Sequence, residues 1–148
     1  MKEVALNIQI TIDCADPNAL ASFYAAAGIG YEVEDRSEAV RELVGAGIVK
    51  PEDVIEREGR LCFTDAAACS SHDAALPRMH FQRVQEPKAT RNRIHIDFQL
   101  RGDDAGRDAL VDHLLKLGGR RIGEGTQGPV HAWVIMADPE GNEFCVSN

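Results

Sequence analysis

RIHIDFQLR, residues 93–101, is the stretch that decides the fold. Apolar and polar residues alternate strictly along it, and the side chains of a strand point alternately to opposite faces. The pattern therefore predicts a strand with one apolar face and one face that carries His95 and Asp97. NIQITID, residues 7–13, repeats the alternation with Gln9 on its polar face. Two such strands predict a small-molecule site lined by two polar strand faces.

Length and composition favour one compact domain. The chain has 148 residues, of which 44% are apolar and 27% charged, and this is enough to bury a core. We therefore expect a single domain over residues 1–148. The net charge of −8 argues against a nucleic-acid partner or an anionic membrane surface, because both attract an excess of Lys and Arg.

Targeting signals are also not expected. The N-terminal sequence MKEVALNIQI is too short and too polar in its flanks for a signal peptide. A membrane-spanning helix needs roughly 18 consecutive apolar residues, and no run in the chain approaches that length. We therefore expect a cytoplasmic protein.

The predicted element order repeats itself. A strand, a helix and three strands are predicted for residues 1–87 and again for residues 91–148, the first strand running from about Val4 to Cys14. Each helix has an acidic cap, Asp16 in the first half and Asp103 or Asp104 in the second. A helix after each first strand, followed by hairpins, indicates an α+β fold. The apolar faces predicted to lie under the two helices are Ile8, Ile10 and Ile12, and Ile94, Ile96, Phe98 and Leu100.

A charged segment, residues 35–58, interrupts the first half. Ser37–Gly45 has helical spacing with Ser37 as a capping residue, so a helical insertion is predicted. Residues 53–58 are predicted to form a short turn. The Ala- and Ser-rich residues 65–76 and the sequence EGTQGP, residues 124–129, are predicted to be loops.

Three stretches together resemble the vicinal oxygen chelate superfamily, in particular its glyoxalase-like and bleomycin-resistance-like members. They are TIDCADPNALASFY followed by AAAGIGY, PRMHFQRVQEPK followed by NRIHIDFQL, and WVIMADPEGNEFCV. The resemblance implies two tandem βαβββ modules that form a cupped, incomplete mixed β-barrel. It also implies a homodimer and a divalent metal with one ligand from the first and one from the last strand of each module.

The resemblance places metal ligands at four positions. They are Gln9, Gln82 (or His80), His95 and Cys145, with Glu143 on the same strand face as Cys145. Related enzymes carry Glu on the fourth and last strands, and the two carboxylates offset the charge of a bound cation. Their replacement favours a metal-free polar cavity over an intact site for one divalent metal such as Zn, Ni, Fe or Mn.

Each candidate residue has a functional and a structural interpretation. His95 is either an interior histidine bonded to a polar neighbour or a ligand and general base. Glu143 is either solvated at the start of its strand or a catalytic residue that transfers a proton, and Cys145 is more simply a packed thiol. Four further residues are candidates for binding the substrate: Asp13, His80, Asp97 and Trp133.

Two functions remain open at this point. The first is a glyoxalase-like enzyme, a lyase, isomerase or dioxygenase, in which a metal polarises the substrate before proton transfer. The second is an antibiotic-resistance-type protein that binds a small molecule without metal and without turnover. A family resemblance indicates the scaffold, whereas the chemistry has to come from the site.

Overall fold

A computed structural model describes residues 6–148 of the chain. Val4, where the first strand was predicted to begin, lies outside the described residues. The structure divides into two compact units. Unit 1 consists of the described part of Met1–Ala25 and Ile29–Gln85, and unit 2 of Ala26–Gly28 and Glu86–Asn148. That residues 1–148 act as a single domain stays a prediction.

The described part of the chain contains three α-helices, one 3-10 turn and ten strands. In unit 1 they are β1 (Gln9–Cys14), α1 (Pro17–Ala26, which ends in unit 2), β2 (Tyr31–Val33), α2 (Ser37–Gly45), the 3-10 turn Pro51–Asp53, β3 (Val54–Arg57), β4 (Arg60–Phe63), β5 (Ala66–Ser71) and β6 (Arg78–Arg83). In unit 2 they are β7 (Asp97–Gln99), α3 (Asp104–Lys116), β8 (Arg120–Gln127), β9 (His131–Ala137) and β10 (Glu143–Ser147).

Unit 1 is built on a four-stranded sheet in the order β1-β6-β5-β2. β1 runs parallel to β6, and the other neighbours are antiparallel. Helix α1 begins as predicted, because the carboxylate of Asp16 accepts a hydrogen bond from the N–H of Ala19 at 3.0 Å. The helix packs on the apolar side of the sheet, where Tyr24 stacks on Phe81 with ring centroids 5.6 Å apart.

Unit 2 has the same topology. Its sheet has the order β7-β10-β9-β8, which corresponds strand for strand to β1-β6-β5-β2 of unit 1. In unit 2 as in unit 1, the first strand of the sheet runs parallel to the last, and the other neighbours are antiparallel. Asp103 caps α3 by accepting a hydrogen bond from the N–H of Gly106 at 2.8 Å. Helix α3 packs on β10 and β8, and Val111 and Leu114 are buried. The predicted α+β fold with two βαβββ repeats is confirmed, and none of the described sheets closes into a barrel.

The strand predicted for residues 93–101 is shorter in the structure. Only Asp97–Gln99 is strand, and the hydrogen bond from Cys145 N to Ile96 O, 2.9 Å, marks where pairing begins. The prediction that Ile8 and Ile94 lie under helices is wrong. Ile8 is 69% and Ile94 88% exposed, because each precedes the paired part of its strand.

Two segments of the first half form strands where none was predicted. Residues 53–58 are not a turn: β3 and β4 form a hairpin around Glu58 and Gly59, which have positive φ angles of 51° and 75°. Residues 65–76 are not wholly a loop, because Ala66–Ser71 is a strand that pairs with β6 on one side and, at its end, with β2 on the other; residues 72–76 remain turn and bend. Backbone pairing on both sides outweighs the low strand propensity of alanine here.

Two smaller predictions are also corrected. Residues 124–129 are not wholly a loop, because β8 continues to Gln127 along β9. Ser37 does not cap α2 but is its first residue, and its hydroxyl accepts a hydrogen bond from the N–H of Leu61 at 2.9 Å. Among the described residues, no helix is both long and apolar enough to cross a membrane.

Candidate functional site

The candidate site is a cavity of about 340 Å³ in unit 2. It lies on the face of the sheet opposite the buried side chains Val134, Met136, Phe144 and Val146. The residues that line it are Arg91, His95, Asp97, Gln99, Gln127, His131, Trp133, Ile135, Glu143, Cys145 and Ser147. One side of the cavity is therefore aromatic and aliphatic, and the other side is polar.

Strand register determines which residues are neighbours in the cavity floor. One row crosses all four strands in the order Gln99, Ser147, Trp133, Gly125. The next row crosses them in the order Asp97, Cys145, Ile135, Gly123. Paired residues of neighbouring strands point to the same face of a sheet. Asp97 and Gln99 of β7 therefore lie on the same face as Cys145 and Ser147 of β10.

His95 and Asp97 form a hydrogen-bonded pair in the polar wall. Nδ1 of His95 lies 2.8 Å from Oδ1 of Asp97. An ionised carboxylate can only accept, so Nδ1 carries a proton, and in the neutral imidazole Nε2 then has the lone pair. Nε2 has no hydrogen-bond partner among the described residues, and the side chain of His95 is 38% exposed. The pair is thus arranged to present a base to the cavity.

Cys145 lies beside this pair as a protonated thiol. Its Sγ is 3.9 Å from Nδ1 of His95, and the residue is buried. Burial, with the negative charge of Asp97, raises the pKa of the Cys145 thiol to about 11. A free thiol with such a pKa is a poor nucleophile near neutral pH. This favours the interpretation of Cys145 as a packed thiol.

Glu143 has a structural role at the cavity edge. Its carboxylate accepts a hydrogen bond from the N–H of Asn92 at 2.9 Å and an ion pair from Nζ of Lys88 at 3.0 Å. Burial acts to raise the pKa of Glu143, but these two donors outweigh it and hold the pKa below its ordinary value. The contacts anchor residues 88–92 to the start of β10. Proton transfer by Glu143 stays a prediction that these contacts do not favour.

Trp133 forms the aromatic wall. It is half-buried, and its ring lies 5.5 Å from that of His131, with 42° between the planes. The sequence left open whether Trp133 belongs to the core or to a ligand site. The structure places it in the cavity lining and not among the buried side chains.

The other predicted site residues lie on the polar face of the sheet in unit 1. Gln9 is not next to Gln82: its neighbour on β6 is Arg78, whose Nη1 donates to Oε1 of Gln9 at 2.6 Å. Gln82 instead donates from Nε2 to Oδ1 of Asp13 at 2.7 Å. His80 is half-buried between these pairs, with Nδ1 buried and without a partner in the described chain.

Arg78 is itself held by Glu34. Its Nε and Nη2 donate to the two carboxylate oxygens of Glu34 at 2.6 and 2.7 Å. The hydrogen bonds from Arg78, with smaller help from Ser70 and Arg36, lower the pKa of Glu34 to about 2. The guanidinium of Arg78 is therefore hydrogen-bonded to the side-chain oxygen that Gln9 would offer to a metal.

Sequence reasoning missed several residues of the cavity. Six lining residues were not predicted as site residues: Arg91, Gln99, Gln127, His131, Ile135 and Ser147. Ser147 could have been found, because it has the same strand parity as Glu143 and Cys145. Gln99 could have been found in the same way, because it has the same strand parity as Asp97, whereas Gln127 depends on the pairing of β8 with β9, which the sequence did not indicate.

Three donor atoms in the cavity wall suit a metal ion. One ligand atom each of His95, Asp97 and Cys145 lies within 4.8 Å of the others. Nitrogen, oxygen and sulfur donors together suit Zn²⁺ better than the harder Mn²⁺. The set fits a zinc ion in kind and leaves a coordination position for a ligand. Asp97 was predicted to bind the substrate and not a metal.

Comparison with known proteins relates the chain to one family. A family model described as a glyoxalase-like domain matches residues 9–147. No curated protein sequence matches the chain.

Solved structures share the fold at low identity. An enzyme of the glyoxalase/bleomycin resistance protein/dioxygenase family from Burkholderia phytofirmans PsJN is 15% identical with a TM-score of 0.62, and the match covers 95% of each chain. The fosfomycin resistance protein FosX from Mesorhizobium loti is 12% identical with a TM-score of 0.59, covering 99% of this chain and 93% of that one. A mutant FosX from Listeria monocytogenes, in complex with Mn(II) and a dihydroxypropylphosphonic acid, is 14% identical with a TM-score of 0.58, covering 97% and 90%.

Proposed function

Since the chain belongs to the family of glyoxalase-like domains, within the vicinal oxygen chelate superfamily, we propose that the unit 2 cavity binds a small organic molecule and that His95 transfers a proton to or from it. One observation carries this proposal. The His95–Asp97 pair, with its 2.8 Å hydrogen bond, lies in the wall of a cavity whose opposite side is formed by Trp133 and Ile135. An oriented imidazole beside an apolar surface is suited to bind a carbon acid and to accept its proton.

The reaction class that fits is proton abstraction next to a carbonyl group. The C–H bond breaks, the proton passes to Nε2 of His95, and the electron pair moves to the carbonyl oxygen. Asp97 accepts the hydrogen bond of Nδ1 and stabilises the imidazolium that forms. Returning the proton to a different carbon gives an isomerase, and loss of a leaving group from the neighbouring carbon gives a lyase.

A metal-assisted form of this function uses the same residues differently. His95, Asp97 and Cys145 would hold the ion, and His95 would then be a ligand and not the base. A bound Zn²⁺ supplies Lewis-acid polarisation of a substrate oxygen. Elemental analysis of the purified protein distinguishes the two forms: a stoichiometric metal that is lost in His95→Ala supports the metal form.

Binding without turnover is the second candidate function. It is favoured by the state of the other reactive groups in the cavity, because Cys145 is held as a thiol and the carboxylate of Glu143 is occupied by Lys88 and Asn92. A resistance protein that only sequesters its ligand needs the Trp133 wall but not the base. Fosfomycin resistance proteins are among the structural relatives, which supports a resistance role for either candidate.

Deuterium exchange tests the proton-transfer function. Small carbonyl compounds are incubated with the full chain in D2O, and loss of the C–H signal is followed by NMR. We expect exchange with the wild type, none with His95→Gln, and unchanged exchange with the surface variant His72→Gln. Binding detected by fluorescence of Trp133, the single tryptophan, without exchange supports the sequestering protein instead.

The oligomeric state, the location and the partners also stay predictions. We expect a homodimer in the cytoplasm, a small-molecule partner, and no nucleic-acid or membrane partner. Light scattering of the purified protein measures the oligomeric state directly.

A further inference from the structure

Ser147 differs from the other buried polar residues of the described chain. The buried polar residues are Asn18, Ser37, Asp138 and Ser147. The side chains of the first three are hydrogen-bonded within the protein. Oγ of Ser147 is buried and has no hydrogen-bond partner in the described part of the chain, although the residue is only 3% exposed.

The position of this hydroxyl connects it to the cavity. Ser147 lines the cavity, and it lies between Gln99 on β7 and Trp133 on β9 in the same row. Buried polar groups almost always have a partner, and a group without one inside a cavity is free to bond to a ligand. The unsatisfied hydroxyl is therefore an independent indication of a binding position, distinct from the His95–Asp97 pair.

The neighbours of Ser147 define the chemistry of this position. Its row contains an amide, an indole and a glycine but no charged side chain, because the residues are Gln99, Trp133 and Gly125. A charged ligand group would find no counter-charge in this row and would lose its hydration. A neutral hydroxyl, carbonyl or amide group suits both the hydroxyl of Ser147 and the amide of Gln99.

The indole of Trp133 leans away from Ser147. It lies over Gly125 on the opposite neighbouring strand, where an added Cβ would be 2.5 Å from Cε2 of the indole. The hydroxyl of Ser147 and the indole therefore border the same part of the cavity without contacting each other through a hydrogen bond. A planar group against the indole would bring an attached oxygen towards Ser147.

We propose that Ser147, with Gln99, is the ligand-binding position for a neutral oxygen-bearing group attached to a planar apolar group that packs on Trp133. This inference rests on the proposed function, because it names the ligand class of the same cavity. The ligand class is a planar organic molecule with a neutral hydroxyl, carbonyl or amide substituent.

A matched pair of probes tests this proposal. Phenol and toluene have similar size and shape, and only phenol has a hydroxyl. Their affinities for the full chain are measured by NMR titration of the backbone amides of residues that line the cavity. A neutral hydrogen bond contributes about 0.5–1.5 kcal/mol, so the wild type is expected to bind phenol about two- to tenfold more tightly than toluene.

Two serine variants provide the comparison. Ser147→Ala should bring the phenol-to-toluene ratio close to one without lowering the thermal midpoint, because no bond within the protein is lost. Ser37→Ala should keep the ratio but lower the midpoint, because the N–H of Leu61 loses its acceptor. A Ser147→Ala variant that keeps the wild-type ratio, or that is destabilised like Ser37→Ala, would overturn the proposal.

The outcomes separate this inference from the function on which it rests. Equal binding of phenol and toluene by the wild type overturns the role of Ser147 but leaves a small-molecule cavity in place. Binding of neither probe at the cavity residues contradicts the cavity function itself.

Discussion

The indole of Trp133 lies over Gly125 of the neighbouring strand. A Cβ added to Gly125 would be 2.5 Å from Cε2 and 2.8 Å from Nε1 of the indole, which is closer than packed atoms approach. The missing side chain of Gly125 therefore allows the orientation of Trp133 that shapes the cavity.

Gly125→Ala should displace the indole and impair ligand binding. We expect a changed emission spectrum of Trp133 and an affinity roughly tenfold lower for planar ligands, equivalent to about 1.4 kcal/mol. Because Trp133 is the single tryptophan, its fluorescence reports this side chain alone. Gly123→Ala is the matched control, since a Cβ there meets Cδ1 of Ile135 at 3.4 Å and should leave the spectrum unchanged. Identical spectra for Gly125→Ala and the wild type would contradict the steric argument.

Asp97→Asn should slow proton transfer more than it weakens binding. The amide of Asn can donate to Nδ1 of His95, which would move the imidazole proton to Nε2 and remove the base from the cavity. We expect the deuterium-exchange rate to fall roughly hundredfold or more, with the ligand Kd changed much less. Asp108→Asn, on the surface of α3, should behave like the wild type. An equal loss of rate in Asp97→Asn and Asp108→Asn would argue against a role of the His95–Asp97 pair in proton transfer.

The Glu34–Arg78 pair should make unit 1 sensitive to acid. The pKa of Glu34 is lowered from 4.5 to about 2, so the stabilisation is present above about 4.5 and is lost as pH falls towards 2. Arg78→Met should lower the free energy of unfolding at pH 7 by about 1–3 kcal/mol and flatten this pH dependence. Arg36, only 3.8 Å from Glu34 and half exposed, provides the control, because Arg36→Met should change stability little. Urea titrations across this pH range measure both variants, and parallel pH profiles for Arg78→Met and the wild type would refute the pairing.

Zn²⁺ binding should strengthen with pH if the metal form exists. Cys145 has a pKa of about 11, so at neutral pH the thiol must release a proton before sulfur can bind the ion. Calorimetric titration in buffers of different ionisation enthalpy should show proton release, and Cys145→Ala should abolish it. Cys62→Ala is the control, since Cys62 lies in β4, outside the donor set. Tight Zn²⁺ binding by Cys145→Ala without proton release would place the metal elsewhere.

The fold was largely predictable from alternation and capping. The starts of α1 and α3 follow from Asp16 and Asp103, whose carboxylates accept the expected backbone hydrogen bonds. β5 was not predictable, because its residues have low strand propensity and because one of its two partners, β2, is separated from it by the insertion. Ile94 was assigned to the core because alternation shows the faces of a strand but not where its pairing ends.

The sequence indicated which strand faces carry the site residues, but not which residues are paired across neighbouring strands. Alternation placed His95 and Asp97 on one face, the family resemblance pointed to Cys145 on the last strand, and the structure brings these three together. The position of Arg78 beside Gln9 depends on the register of β1 with β6, which no local pattern specifies. The Trp133–Gly125 contact likewise requires the pairing of β8 with β9.

The most direct test of the unit 2 cavity is an amide NMR titration of the full chain with a library of small planar carbonyl and hydroxyl compounds. The account predicts that at least one compound shifts the amides of Asp97, Trp133, Cys145 and Ser147 together, and that Trp133→Ala weakens this binding. Shifts confined to residues outside this set, or a library that leaves all four amides unchanged, would contradict the account.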